Sequence, residues 1–191
     1  MIGWQNRHPF LVGIEMRETI VHTEEIYDGR VVNLLIHEVR LPDGKPARRE
    51  VVRHPGAVAM VALDEEQNVL LVRQYRIAAD RMMLEIPAGT LEPNEPPDIC
   101  AVRELREETG YKPARLQSLG GVYVAPGYTS EFIHLYLATD LEESALQADD
   151  DESIEVKRLP LGEALRMVEQ GEIVDGKTVV ALLLVARQFG L

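Results

Sequence analysis

Residues 89–110 read GTLEPNEPPDICAVRELREETG, and this stretch ends by setting Glu104, Glu107 and Glu108 within five residues, just ahead of a glycine. Like charges at i,i+4 weaken a helix by roughly 0.2–0.5 kcal/mol per pair, so such crowding calls for compensation by solvent or by a cation. At about 100° per residue, with Glu104 as zero, Glu107 falls near about 300° and Glu108 near about 40°. The three carboxylates therefore share one helix face. Leu105 and Ala101 point elsewhere and can pack, whereas Arg106 lies opposite the acids and is expected to face water. A solvated acidic face is the ordinary reading of a glutamate run. The same face also suits Mg²⁺ or Mn²⁺, hard cations that hold a few carboxylates, keep several waters and take remaining ligands from substrate phosphate. Residue type and spacing thus point to metal-assisted phosphate chemistry, in which a bound ion polarises a phosphoryl oxygen and acidifies water.

The elements that must position this face can be read around it. A helix is predicted from about Asp98 to Thr109, with Pro96 and Pro97 at its start and Gly110 at its end, positions where those residues cost little. Residues 14–54 read as strands separated by the turn sequences Tyr27-Asp28-Gly29-Arg30 and Pro42-Asp43-Gly44-Lys45, a small antiparallel meander. The runs AVAMVAL (57–63) and NVLLVRQYR (68–76), joined by DEEQ, have the unbroken apolar character of deeply buried strands. Further strands are expected in LQSLGGVYVAP, EFIHLYLATDL and SIEVKRLPL, and helices in LGEALRMVEQG and TVVALLLVARQF, the latter read as buried. Strands on both sides of a central helix, with a helical end, indicate an α/β sandwich around a mixed sheet. Two regions are expected: residues 1–54, strand-rich, and residues 55–191, carrying the chemistry.

Composition narrows the partners. The formal charge of −12 argues against nucleic acid and against anionic membranes, which are bound through basic surfaces. No apolar run approaches the ~20 residues of a membrane span. Cys100 is the single cysteine, so no intrachain disulfide can form, and the opening MIGWQNRHPF has no signal-peptide pattern. A cytoplasmic protein is expected. His8, His22, His37, His54 and His134 show no zinc-site spacing.

Gly89, five residues, Glu95, seven residues, then Arg103-Glu104-Leu105-Arg106-Glu107-Glu108-Thr109-Gly110 resembles the Nudix box, G-x5-E-x7-R-E-U-x-E-E-x-G-U with U aliphatic. Every fixed position is filled, and only Tyr111 departs, at the closing aliphatic site. The resemblance implies the Nudix α/β/α sandwich with an N-terminal antiparallel meander, and metal-dependent hydrolysis of a nucleoside diphosphate derivative. It implies Glu104 and Glu108 as metal ligands, Glu107 as ligand or catalytic support, the Ala88 carbonyl as a further ligand and Glu92 as an additional candidate. Glu95 and Arg103 would hold the loop against the helix, Gly89 would let the backbone turn, and Gly110 would close the helix. Mg²⁺, with Mn²⁺ as a substitute, is implied at two or more ions per site.

Pro126, sixteen residues after Gly110, together with RQYR at 73–76, LEIPAG and DDDESIEVKRLPL, is similar to the ADP-ribose pyrophosphatase branch. That likeness implies cleavage of ADP-ribose to AMP and ribose 5-phosphate by a homodimer that exchanges its N-terminal strands. It implies Arg76, Arg49, Pro126 and Gly127 in substrate binding, and Glu152, with Asp150 in reserve, as the base. A loop-borne base could approach the attacking water from the side opposite the metal helix. Two alternatives stand beside it. One is hydrolysis of another nucleoside diphosphate sugar such as GDP-mannose, or of a dinucleotide; the other is an ADP-ribose sensor without catalysis.

Overall fold

The computed structural model describes residues 16–146 and 154–191. The chain divides into two compact units, one ending at Arg53 and the other beginning at His54.

The first unit is a three-stranded antiparallel sheet of β1 (Thr19–Asp28), β2 (Asn33–Arg40) and β3 (Pro46–Arg53), in that spatial order. Its second hairpin closes as the turn chemistry predicts: Gly44 adopts φ 85° and donates to the Leu41 carbonyl at 2.9 Å. Leu35 and Val39 on β2 are buried, whereas every residue of β1 is exposed.

The second unit is built around β4 (Ala57–Leu63), every residue of which is buried. It pairs in parallel with β9 (Phe132–Glu143) and antiparallel with β5 (Asn68–Arg76), giving the mixed sheet order β10-β5-β4-β9-β8, where β8 is Tyr111–Tyr123 and β10 is Glu155–Pro160. An unbroken apolar run suits such a strand because both its faces are covered. Ala57, Ala59, Val61 and Leu63 join one core with helices α2 (Leu161–Glu169) and α3 (Gly176–Phe189). Val58, Met60 and Ala62 join a second core with Cys100, Ala101 and Leu105 of helix α1 (Pro97–Thr109). Helices thus flank the sheet on both faces, as the sequence pattern predicts.

One feature of this sheet places the site. β4 and β5 pair only through Ala62–Leu70 and Leu63–Val69. Beyond that point they part, and the next stretch of chain fills the opening: β6 (Arg81–Glu85) pairs with β5, and β7 (Ala88–Thr90) pairs with β4. Residues 85–89 therefore cross from one strand to the other inside the sheet, and the Met60 amide donates to the Pro87 carbonyl at 2.9 Å.

α1 begins with Pro97 at its first turn and ends at Gly110, which adopts φ 81° and donates to the Arg106 carbonyl. Three expectations are corrected. β8 starts directly after Gly110, five residues earlier than LQSLGG indicates. Arg106 is half-buried rather than left to water alone; its Nε donates to the Ser144 carbonyl at 3.1 Å. α3 is buried along one stripe only, and Leu183 is 52% exposed, because an apolar run cannot by itself distinguish a wholly buried helix from a half-buried one.

Candidate functional site

Packing decides which way the glutamates of α1 face. Cys100, Ala101 and Leu105 are fully buried against β4, which anchors the helix and turns Glu104 and Glu108, one turn apart, toward β7. Glu108 is only 7% exposed, and its Oε2 accepts a hydrogen bond from the Ala88 amide at 3.0 Å. Glu104 reaches Gly89 so closely that a Cβ built on that glycine would lie 1.9 Å from its carboxylate carbon and 2.0 Å from Oε1. The Gly89 backbone is not in the left-handed region. Glycine is needed here for the volume beneath a carboxylate rather than for a turn, which corrects the expectation from the sequence.

Arg103 gathers the remaining acids. Its Nε and Nη2 donate to the two oxygens of Glu95 at 2.8 and 2.9 Å, a bidentate fork. Its Nη1 reaches Glu104 Oε1 at 2.8 Å and Glu107 Oε2 at 2.9 Å. Glu95 is fixed further by the Glu92 amide, which donates to it at 3.0 Å. The guanidinium and that amide outweigh partial burial and hold the Glu95 carboxyl down at about 2. Three carboxylates around one guanidinium leave this part of the site strongly negative. Burial, with Glu95 adding to it, pushes the neighbouring Cys100 thiol up to about 12, so it is a packed, protonated side chain.

On the other side of Ala88 lies a second charged cluster. Arg76, at the end of β5, donates from Nε and Nη2 to Glu85 Oε1 and Oε2, each at 2.8 Å. Glu85 is 1% exposed, and Lys177 donates to the same carboxylate and to Asp175 Oδ2. Burial works against the charge on Glu85, but the Arg76 fork and Lys177 outweigh it and keep the carboxyl below its usual range. Asp175 caps α3, accepting from the Thr178 amide at 3.0 Å, and Thr178 Oγ1 in turn accepts from the Ile86 amide at 2.9 Å. The segment from Glu85 to Gly89 is thereby held by α3 at one end and by α1 at the other.

Sequence reasoning singled out Arg76 but missed Glu85, Lys177 and Thr178. The signal available was an acid inside the otherwise apolar stretch LEIPAG; Lys177 and Thr178 are contributed from far along the chain and carry no local signal.

The other expected residues are distributed as follows. Glu92 is exposed, and its backbone brackets Glu95. Pro126 and Gly127 lie in an exposed turn between β8 and β9, where Tyr128 and Thr129 donate back to the Ala125 carbonyl. Arg49, on β3 of the first unit, donates to Glu18 at 2.5 Å. Asp150 and Glu152 lie outside the described residues. The chain leading to them is anchored on α1, since the Leu146 amide donates to the Arg106 carbonyl and the Ser144 amide to the Gly110 carbonyl.

Among the described residues, no three of His, Cys, Asp and Glu stand together as a complete metal-ligand set. Two carboxylates converging on Ala88 and Gly89 nevertheless fit a hard divalent cation that draws the rest of its shell from a carbonyl, water and phosphate. Also among the described residues, no helix is long and apolar enough to cross a membrane.

Comparison with known proteins adds independent findings. A family model described as NUDIX domain matches residues 52–182. An ADP-ribose pyrophosphatase of Bacillus subtilis (strain 168) is 41% identical over 169 residues, covering 87% of this chain and 91% of that protein. A methanol dehydrogenase activator of Bacillus methanolicus is 43% identical over 173 residues, covering 90% and 94%. In fold, the chain is similar to a crystal structure of an ADP compounds hydrolase, with a TM-score of 0.82, 24% identity and coverage of 94% of this chain and 97% of that one.

Proposed function

The chain belongs to the NUDIX family, and from that premise we propose that it hydrolyses the pyrophosphate bond of ADP-ribose, giving AMP and ribose 5-phosphate. The observation that carries this reading is the meeting of Glu104 and Glu108 at the Ala88–Gly89 backbone. The ADP-ribose assignment draws on the B. subtilis pyrophosphatase, similar over nearly the whole length of both chains.

Nudix hydrolases need a divalent metal ion; here it is Mg²⁺, replaceable by Mn²⁺, with two or more ions per site. Glu104 and Glu108 would hold it, joined by the Ala88 carbonyl and by Glu107, with Glu92 as a further ligand. Bound there, the metal supplies Lewis-acid polarisation of a phosphoryl oxygen and a lowered pKa for water. Glu95 and Arg103 fix the loop that leads into α1. Arg76 takes a phosphate oxygen of the diphosphate, a role suited to a guanidinium. Arg49, Pro126 and Gly127 contact the rest of the substrate, and Glu152, or Asp150 beside it, accepts the proton of the attacking water.

The first unit serves dimerisation by strand exchange. Support comes from the wholly exposed edge strand β1, which carries Ile20, Val21, Ile26 and Tyr27 in the open, an arrangement monomers avoid. Sedimentation at micromolar concentration tests this, and a monomer there rejects it. The single buried thiol of Cys100 needs no oxidising compartment, and we place the enzyme in the cytoplasm, which cell fractionation checks.

Product analysis tests the activity directly, on ADP-ribose, GDP-mannose, diadenosine polyphosphates and NADH, with Mg²⁺ and with chelator. AMP and ribose 5-phosphate released from ADP-ribose only with metal is the expected result. Faster turnover of another member replaces ADP-ribose as substrate. Binding of ADP-ribose with Mg²⁺ but without AMP release makes the protein a sensor.

A further inference from the structure

Glu85 has no part in the reaction described so far, yet it is among the most deeply buried charged side chains of the described residues. Taking a carboxylate out of water costs several kcal/mol, and packed apolar residues serve stability as well or better. Its partners point to another use. Both oxygens are engaged by one edge of the Arg76 guanidinium, through Nε and Nη2. Nη1 of Arg76 makes no hydrogen bond among the described residues, and the side chain is 43% exposed. One edge of the guanidinium is therefore locked and the other is available.

The lock is registered to the metal-binding helix. Glu85 begins the four-residue segment that ends at Ala88; the Ile86 amide is held by Thr178 and the Ala88 amide by Glu108. Lys177 braces the carboxylate from α3, so Glu85 stays charged and in place. Arg76 lies near enough to Glu108 that, after the Glu85 hydrogen bonds and the charges of Glu85 and Asp175, the Glu108 carboxylate helps raise its pKa.

We propose that Glu85, braced by Lys177, is a positioning residue that grips Arg76 by its Nε/Nη2 edge and so presents the Nη1 edge to a phosphate oxygen of the substrate diphosphate. This rests on the reading of the protein as a diphosphate hydrolase. Glu85 touches no reacting atom and acts only through Arg76. Its effect belongs in substrate binding, and it disappears once the arginine is gone.

A double-mutant cycle tests it, with steady-state AMP release from ADP-ribose and Mg²⁺ measured for the full chain and for Glu85→Gln, Arg76→Ala and the double variant. Glu85→Gln raises KM about tenfold, the worth of one charged hydrogen bond, with kcat changed far less. The double variant matches Arg76→Ala within about twofold, because the two residues act as one unit. Multiplying effects, or an unchanged KM in folded Glu85→Gln, overturn the proposal while leaving the hydrolase reading intact. A wild-type chain that cleaves no diphosphate in the panel overturns both. Should Glu85→Gln melt below the assay temperature, Glu85→Asp keeps the charge but withdraws the fork, and the same KM rise and the same silence beside Arg76→Ala are expected.

Discussion

Replacing Gly89 by alanine tests the site through the volume that the glycine leaves. The added Cβ would stand 1.9 Å from the Glu104 carboxylate carbon, and ordinary contact begins at 3.4 Å, so the carboxylate must retreat by about 1.5 Å. Metal-ligand distances tolerate only about 0.2 Å, so a displacement of that size takes Glu104 out of any shared coordination shell. The fold loses little. The obstructing atoms are the far end of a flexible side chain, the Gly89 backbone lies outside the left-handed region, and Gly→Ala in a compatible conformation even stabilises by about 0.4–1 kcal/mol through the unfolded state. The expected phenotype is thus an unchanged or slightly raised melting temperature with turnover reduced on the order of 10²-fold, the scale seen when a catalytic electrostatic group is removed. AMP release titrated with Mg²⁺ and thermal melts in chelator measure the two halves. Gly162→Ala, where a Cβ meets open space, is the control. Should Gly89→Ala retain activity within about threefold at limiting Mg²⁺, the assignment of Glu104 as a ligand over that glycine is refuted.

Glu108→Gln keeps the hydrogen bond from the Ala88 amide but loses the charge; turnover should fall at least ~10²-fold while melts in chelator hold or rise, and equal activity would mark a purely structural helix. The Glu95 carboxyl is held down at about 2 against an unfolded value of 4.5, so its contribution to stability is complete above about pH 4.5 and disappears as pH falls toward 2. Melting temperatures of wild type and Glu95→Gln should accordingly differ at pH 6 and converge across that window; a gap independent of pH would show that the Arg103 fork does not need the charge. Chelator should abolish ADP-ribose cleavage, and Mg²⁺ or Mn²⁺ should restore it; activity that survives chelation removes metal from the mechanism. Glu152→Gln should lower kcat about 10²-fold and Asp150→Asn much less if Glu152 is the base, with the reverse order transferring the role to Asp150.

How far these features were legible in the sequence depends on the range of the interactions behind them. α1 was readable because all its determinants are local: prolines at the start, glycine at the end, and acids at i, i+3 and i+4. The deep burial of β4 followed from an unbroken AVAMVAL, which only a strand covered on both faces can bury. The crossing of residues 85–89 between β5 and β4 was not legible, since strand partners are chosen by the whole sheet and no strand was expected where the short β6 and β7 lie. The Glu85 cluster escaped for the same reason, Glu85 and Lys177 lying 92 residues apart. Gly89 was noticed for the wrong property: a sequence shows that a side chain is missing but not whether the reason is torsional or steric.

That distinction bears on how a chain of charge −12 can handle an anion. Between strands that part, the segment 85–89 is flanked by two charged clusters of opposite construction. Around Glu85 and Asp175 the positive groups Arg76 and Lys177 balance the acids, and one guanidinium edge is left over. Around Arg103 the acids outnumber the cation and wait for more positive charge. A diphosphate bridging the two would meet a fixed cation at one end and a recruited divalent ion at the other, so its attraction is local and owes nothing to net charge. Ionic strength separates this from long-range steering: with Mg²⁺ held constant, kcat/KM should change by less than about threefold between 50 and 200 mM salt, because short contacts in a partly buried site are weakly screened. A steep rise with salt would instead mean that repulsion from the acidic surface governs approach.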